Sequence, residues 1–299
     1  MLSFMALALA FTWSMWILYG AGLAPVELVL VGEYGPSAAA FALVARENGA
    51  EGVRDLLRRI GMWRVDARWY AFVLLVTPCL MLATAGVSAA TGAALPELAQ
   101  LAEWPAHFRE RTAAFAPSLG LLSGLSAFMA QGTWATLIGM IALGVSQGGL
   151  SEEPGLRGFL LPRARERFSL LTSALIVGVF WSVWHMFLPD HWKLLFESGP
   201  LPFLQTGLQN CAEYLLVCPP LAVLYAWVHA NTNGSVLLAI LLHAAYNISV
   251  TVVRSGWPDF PMLTFLALTW LLAIALVVLA RRQFLRPAVS GTAMRSTGA

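Results

Sequence analysis

Long apolar stretches make up most of the chain, and polar residues interrupt them at only a few places. A run of about 20 apolar residues is long enough to form a membrane-spanning helix. Eight candidate runs lie at about 4–30, 35–46, 69–91, 117–150, 169–188, 203–228, 235–253 and 261–280. The second is too short to span alone and is expected to pack inside the protein, and Gly132 is expected to break the long fourth run. The pattern predicts an all-α, polytopic membrane helix bundle with about eight transmembrane passes.

Composition supports a membrane protein. The 299 residues are 59% hydrophobic and 11% charged, whereas soluble domains carry about 25% charged residues. The net charge of +2 gives no indication of nucleic-acid binding. No Walker loop, GxGxxG or HExxH motif occurs in the sequence. We therefore expect the lipid bilayer as a partner, and neither nucleic acid nor a nucleotide.

The basic residues predict the orientation of the chain. With a cytoplasmic N-terminus, 14 of the 18 Arg and Lys residues fall on the inner side, which obeys the positive-inside rule. Both termini are therefore predicted to be cytoplasmic, in a multi-pass protein of the cell inner membrane or plasma membrane. We expect one membrane-embedded domain over 1–286, with a motif-bearing core at about 117–253, and a flexible tail at 287–299. The arginine-rich linker 47–68 has the spacing of an amphipathic helix on the inner leaflet.

Three short polar islands lie within the apolar part of the chain. They are Glu152-Glu153-Pro154-Gly155-Leu156-Arg157, Trp181-Ser182-Val183-Trp184-His185 and His243-Ala244-Ala245-Tyr246-Asn247. Ionisable groups at membrane depth are unfavourable, so they usually mark a functional site or a buried pair. The islands are therefore the candidates for chemistry.

The first island contains two glutamates with different surroundings. Glu153 and Arg157 are four residues apart, so on a helix they face each other as an ion pair. Glu152 points about 100° away and can face a cavity as a general base. Pro154 indicates the start or a break of a helix. The alternative is a cytoplasmic helix end with solvated charges.

The second and third islands supply two histidines and an amide. His185 follows Trp181 by one helical turn, and the alternative reading is an interfacial histidine beside an aromatic belt. His243 and Asn247 are also one turn apart, so both side chains point to one helix face. Their alternative is a hydrogen bond between helices that stabilises the bundle.

Taken together, the islands could form one pocket. Glu152 and His185 could hold and deprotonate a water molecule, while His243 and Asn247 donate hydrogen bonds to a carbonyl oxygen. Alternatively, two histidines and one carboxylate, His185, His243 and Glu152, could bind a metal ion. The spacing in the sequence does not decide between them. For Glu213, which could also line the pocket, a structural hydrogen bond is favoured.

The three islands resemble the CPBP family of membrane-embedded endopeptidases, which includes type II CAAX prenyl endopeptidases and bacteriocin-processing or self-immunity proteins. The family pattern is EExxxR, FxxxH and HxxxN. Here it occurs as Glu152-Glu153-x-x-x-Arg157, Trp181-x-x-x-His185 and His243-x-x-x-Asn247. Tryptophan thus replaces phenylalanine in the second motif, and the resemblance is strongest over about 140–250.

The resemblance implies an all-helical membrane fold, a cavity open towards the cytoplasm, and hydrolysis of a peptide bond in a membrane-associated protein or peptide. By motif, Glu152 would activate water with help from His185, and His243 with Asn247 would form the oxyanion site. The supporting residues would be Glu153, Arg157 and Trp181. The family has been described both as metalloproteases and as metal-free glutamate proteases, so the cofactor is open between none and zinc.

Two other functions compete with an endopeptidase. One is a non-enzymatic self-immunity or peptide-binding partner protein, in which the polar cavity binds without hydrolysis. The other is a secondary transporter that uses Glu152 or Glu213 as a proton relay. The sequence lacks the inverted repeat that transporters often contain.

Overall fold

The computed structural model describes residues 1–114 and 120–287, and every regular element in these ranges is a helix. The α-helices are α1 (Leu2–Gly20), α2 (Glu27–Gly32), α3 (Gly35–Ile60), α4 (Ala67–Thr91), α5 (Leu98–Ala102), α6 (Trp104–Ala114), α7 (Gly120–Met129), α8 (Thr133–Gly144), α9 (Ser151–Gly155), α10 (Leu161–Arg165), α11 (Leu170–Trp184), α12 (Pro189–Ser198), α13 (Pro200–Asn231), α14 (Val236–Gly256), α15 (Met262–Leu279) and α16 (Arg281–Leu285). Two π-helical segments, Val145–Leu150 and Leu156–Leu160, flank α9.

Within the described residues, six helical stretches are long and apolar enough to cross a membrane. They are Leu2–Gly20, Ala67–Thr91, Thr133–Arg165, Pro200–Asn231, Val236–Gly256 and Met262–Leu279. A seventh results if α11 and α12, which meet at a bend of 42°, form one span. The chain is thus an all-α, polytopic membrane bundle. The count of eight passes and the cytoplasmic termini remain predictions, and the proposed tail beyond residue 287 lies outside the described residues.

The short second apolar run packs inside the bundle, as expected. It forms the first half of α3, and a β-carbon at Gly35 would lie 2.1 Å from Thr12 Oγ1 on α1. Only glycine permits this approach, and the same Thr12 hydroxyl donates to the carbonyl of Gly32 at 2.8 Å. Helix α3 then kinks at Gly49, where φ is +59°. Its second half is the amphipathic helix of the predicted linker, which ends at Ile60.

The fourth apolar run breaks at Gly132, as predicted, because α7 and α8 meet there. The span that follows covers Thr133–Arg165 and so reaches further along the chain than predicted. A second break lies at Gln147 and Gly148. The expectation that Pro154 marks a helix start or break is wrong, since Pro154 lies inside α9. The π-helical turns on both sides rearrange the local hydrogen bonds, which is how membrane helices accommodate proline.

Helices α11 and α13 approach closely near the middle of the bundle. A β-carbon at Gly178 would lie 2.7 Å from the Cα of Pro219. Lipid provides no hydrophobic force between helices, so small residues that permit van der Waals contact stabilise such pairs. One turn later, Ser182 Oγ donates to the carbonyl of Tyr214 at 2.9 Å. These contacts fix the last turn of α11, and therefore the position of His185, against α13.

Candidate active site

The polar islands meet at one internal cavity of about 860 Å³. All four residues predicted to be catalytic line it, namely Glu152, His185, His243 and Asn247. They come from α9, from the end of α11 and from α14, elements that are far apart in the sequence. The structure therefore brings together the carboxylate, the two imidazoles and the amide that the sequence supplied separately.

The two adjacent glutamates have different surroundings, as helical geometry predicts. Glu152 borders the cavity, and its Oε2 accepts a hydrogen bond from the indole Nε1 of Trp181 at 2.5 Å. Glu153 is fully buried, and its Oε1 accepts from Nη1 of Arg157 at 2.9 Å. The ion pair inferred from the spacing is thus present, and Glu152 is left out of it.

Glu153 also binds His243, a contact that the sequence did not predict. His243 Nδ1 lies 2.7 Å from the same Oε1 atom that Arg157 contacts. An ionised carboxylate only accepts hydrogen bonds, so Nδ1 carries the hydrogen. The other ring nitrogen, Nε2, is then an acceptor in the neutral ring and a donor in the imidazolium. The contact with Glu153 holds the ring in one orientation.

Trp181 contacts the charged and polar groups around it on several sides. Its ring centre lies 5.5 Å from that of His243 and 6.0 Å from that of His185. The guanidinium carbon of Arg157 lies 4.6 Å from the centre of the indole ring, within the range of a cation–π contact. A phenylalanine would keep these ring contacts but would lack the N–H group that binds Glu152. The departure from the family pattern therefore adds one hydrogen bond to the site.

Gly148 marks the point where two nitrogen atoms converge. A β-carbon built on Gly148 would lie 2.8 Å from both His243 Nε2 and Asn247 Nδ2. The backbone has φ +86° there, which favours glycine, and the Gly148 N–H donates to Ser151 Oγ at 2.7 Å. Glycine therefore lets both nitrogen atoms lie close to the backbone with no side chain between them.

His185 is held in one ring orientation. Its Nδ1 lies 3.0 Å from the carbonyl oxygen of Trp181, and since a carbonyl only accepts, Nδ1 carries the hydrogen. The ring stacks on Tyr214 with centres 4.1 Å apart and planes 8° apart. The side-chain amide of Asn210 donates to the backbone carbonyl of His185. In the neutral ring, Nε2 is therefore a lone-pair acceptor.

The arrangement does not fit the alternative metal site. No group of three or more His, Cys, Asp and Glu side chains in the described ranges is placed to hold a metal ion. Within the proposed set of Glu152, His185 and His243, both histidines use Nδ1 for contacts inside the protein, so only their Nε2 atoms could face an ion. The atoms that remain line the cavity without forming a ligand cluster among the described residues, so zinc has no part in the proposed mechanism.

Sequence reasoning missed part of the site. Glu33 lines the cavity, although it belongs to no motif. Glu213, for which a structural hydrogen bond was favoured, has none among the described residues and also lines the cavity. Gly148 gave no signal because its role depends on the neighbouring α14. A glycine pair ahead of Glu152 could at most have suggested a backbone break.

The cavity extends away from the arginine-rich end of the bundle. Helix α14 begins at that end, where Ser235 Oγ donates to the carbonyl of Met62 in the arginine-rich linker. Arg254 also lines the cavity, 11 residues after His243 on the same helix, which is about 16 Å at 1.5 Å per residue. The cavity thus reaches from the motif residues towards the end of α14 that is opposite the arginine-rich linker, and its opening towards the cytoplasm stays a prediction.

Fold and site define a polytopic membrane protein with a buried, cavity-lining set of acid, imidazole and amide groups. Residues 132–249 match the family model of Type II CAAX prenyl endopeptidase Rce1-like proteins. This match supports the resemblance read from the three motifs. The matched range contains all three islands and Gly148, whereas Glu33 and Arg254 lie outside it.

A curated relative supports the same family. CAAX prenyl protease 2 of Methanococcus maripaludis is 25% identical to this chain over 100 residues. The aligned part covers 33% of this chain and 35% of that protein. The similarity thus spans about a third of the relative's length.

Proposed function

We propose that this chain is an intramembrane endopeptidase that hydrolyses a peptide bond in a membrane-associated protein or peptide. The Rce1-like family of residues 132–249 supports a protease of the CAAX type. The observation that carries the proposal is the convergence of His243 Nε2 and Asn247 Nδ2 on the space beside Gly148, in the cavity that Glu152 also lines. Binding alone would not require paired donors and a carboxylate in one cavity.

In this proposal, Glu152 is the general base. Its carboxylate takes a proton from a water molecule, and the water oxygen attacks the carbonyl carbon of the scissile bond. His185 Nε2 accepts a hydrogen bond from the same water and so orients it. The indole N–H of Trp181 fixes one carboxylate oxygen of Glu152, which leaves the other oxygen available to the water.

The negative oxygen formed by this attack would lie beside Gly148. Asn247 donates one hydrogen bond from its amide, and His243 donates a second from Nε2 as the imidazolium. Glu153 stabilises that positive ring, since it binds Nδ1. Arg157 holds Glu153 in place through the ion pair. Donors aligned in advance of the reaction typically contribute about 2.7–4 kcal/mol each to catalysis.

The substrate class follows from the setting of the site in a lipid bundle. The cavity is lined by apolar as well as polar side chains, so a peptide held at the membrane could enter it. The family name suggests a C-terminal CAAX sequence as one candidate, and a leader peptide or the tail of a membrane protein are others. We also propose that the protein lies in the cell inner membrane or the plasma membrane, since its composition allows either.

The decisive experiment measures cleavage by detergent-purified wild type and Glu152→Gln, each with and without a chelator. The substrates are a farnesylated CAAX peptide, the same peptide without the lipid, and a membrane-anchored leader peptide. Glu27→Gln is the matched control, because Glu27 is a buried carboxylate that does not line the cavity. We expect cleavage by wild type and by Glu27→Gln, little by Glu152→Gln, and no effect of the chelator.

Other outcomes would change the assignment. Full cleavage by Glu152→Gln would remove the proposed base. Loss of cleavage with chelator and recovery with zinc would place Glu152, His185 and His243 in ligand roles. No cleavage of any substrate by folded wild type would favour the self-immunity or peptide-binding alternative.

A further inference from the structure

Glu33 is a second carboxyl group at the proposed catalytic cavity. It lies in the turn between α2 and α3, outside the six membrane-spanning candidates and outside the family match. Among the described residues its carboxyl group makes no hydrogen bond and no ion pair. It therefore faces the cavity without a partner of its own, although it is close enough to Glu152 to interact electrostatically.

The backbone next to Glu33 is fixed against the segment that carries Glu152. Tyr34 donates its hydroxyl to the carbonyl of Ser146 at 3.1 Å. Ser37 donates to the carbonyl of Leu150 at 2.8 Å. These two contacts lie on either side of the break at Gln147 and Gly148, so the turn follows the broken helix along its length.

A third contact extends this alignment past Glu152. A β-carbon at Gly155 would lie 2.4 Å from the carbonyl oxygen of Pro36, so only glycine allows the start of α3 to approach so closely. The chain around Glu33 is thus held beside residues 146–155 at three points. The position of the second carboxyl is a consequence of packing and does not depend on a flexible loop.

The two carboxyl groups line the same cavity and differ in their contacts. Glu152 accepts a hydrogen bond from the indole of Trp181, whereas Glu33 has no hydrogen-bond donor among the described residues. Burial raises the pKa of Glu33 to about 8, and the negative charge of Glu152 adds to this shift. At neutral pH, Glu33 is therefore the protonated member of the pair. Where the environments of two titratable groups push their pKa values apart, one group acts as the acid and the other as the base.

We propose that Glu33 is the general acid that protonates the leaving nitrogen, with Glu152 as the base; this rests on the proposed endopeptidase function. Water gives one proton to Glu152, and its oxygen forms the new bond to the carbonyl carbon. The C–N bond then breaks, its electron pair stays on nitrogen, and the nitrogen takes the proton of Glu33. Transfer of the proton from Glu152 to Glu33 restores both groups, and the products are one carboxylic acid and one amine.

The test compares a peptide with an amide at the scissile bond and the same peptide with a thioester there. A leaving thiolate needs no proton, whereas a leaving amine does. For Glu33→Gln we expect kcat on the amide to fall by about 100-fold or more, while kcat on the thioester stays within a few-fold of wild type. Glu33→Asp, which keeps an acid, should recover part of the amide rate. Glu27→Gln, a buried carboxylate on α2 outside the cavity, should behave as wild type on both.

Each result decides between the proposals. An equal fall on amide and thioester would mean that Glu33 only supports the structure, which overturns the acid role. An unchanged amide rate would overturn it as well. If Glu33→Gln does not fold, the ratio of amide to thioester rates in Glu33→Asp decides, and a ratio equal to that of wild type overturns the proposal. No cleavage of either substrate by wild type would overturn the endopeptidase function and this inference together.

Discussion

The space beside Gly148 offers the sharpest test of the proposed oxyanion site. In Gly148→Ala, the new methyl group would lie 2.8 Å from His243 Nε2 and from Asn247 Nδ2. Ordinary contacts begin at 3.4 Å, so each nitrogen would have to retreat by about 0.6 Å. The methyl group would thus push both donors away from an oxygen held beside Gly148. Loss of one such donor lowers kcat by about 100- to 1,000-fold, and we expect at least that loss.

A matched glycine separates this effect from backbone strain. Gly199 has φ +88°, close to the +86° of Gly148, but a β-carbon there meets nothing within 4 Å. Both alanine variants carry the strain of a positive φ, about 1–3 kcal/mol. The assay is kcat on a cleavable membrane peptide, with thermal unfolding in detergent as the measure of folding. Equal kcat in folded Gly148→Ala and Gly199→Ala would refute the placement of the oxyanion beside Gly148.

Two further predictions concern the charges behind the cavity. Arg157→Gln should lower the free energy of unfolding by about 3–5 kcal/mol, because it leaves the buried Glu153 without its guanidinium partner. Arg58→Gln is the control, because the Arg58 side chain is 69% exposed in its ion pair with Asp55. This variant should change the free energy of unfolding by at most about 1 kcal/mol. Equal effects of the two substitutions would contradict the reasoning. Trp181→Phe should lower the free energy of unfolding by about 1.5–3 kcal/mol, because it removes the hydrogen bond to Glu152. The same unfolding assay measures this change. Unchanged stability in that variant would mean that solvent in the cavity replaces the indole N–H.

The sequence predicted those features that follow from helical periodicity. The i, i+4 spacing gave the Glu153–Arg157 pair, and the same rule placed His243 and Asn247 on one face. The glycine at 132 predicted a break because it interrupts an apolar run too long for one span. Each of these inferences uses only neighbours along one helix.

Features that depend on packing between distant elements were not predictable. Glu33 reaches the cavity because Gly155 permits the close approach of Pro36, and nothing in the local sequence encodes that contact. The hydrogen bond between His243 and Glu153 joins residues 90 positions apart. Pro154 was misread because the local rule for proline ignores the π-helical turns that accommodate it. Sequence periodicity thus predicts which side chains share one face of a helix. Contacts between distant elements determine which of these faces pack together.

The span Thr133–Arg165 has a consequence for how the protein is made. Each charged residue near the centre of a helix opposes its insertion into the bilayer by about 2.5–3.5 kcal/mol, and this span contains Glu152, Glu153 and Arg157. The imidazole partner of Glu153 is synthesised 90 residues later, about 5–18 s at 5–20 residues per second. During that interval the span is poorly suited to lipid, so we expect it to stay beside the translocon until α14 has emerged. Nascent chains that stop before α14 should remain bound there and should be sensitive to quality-control proteases.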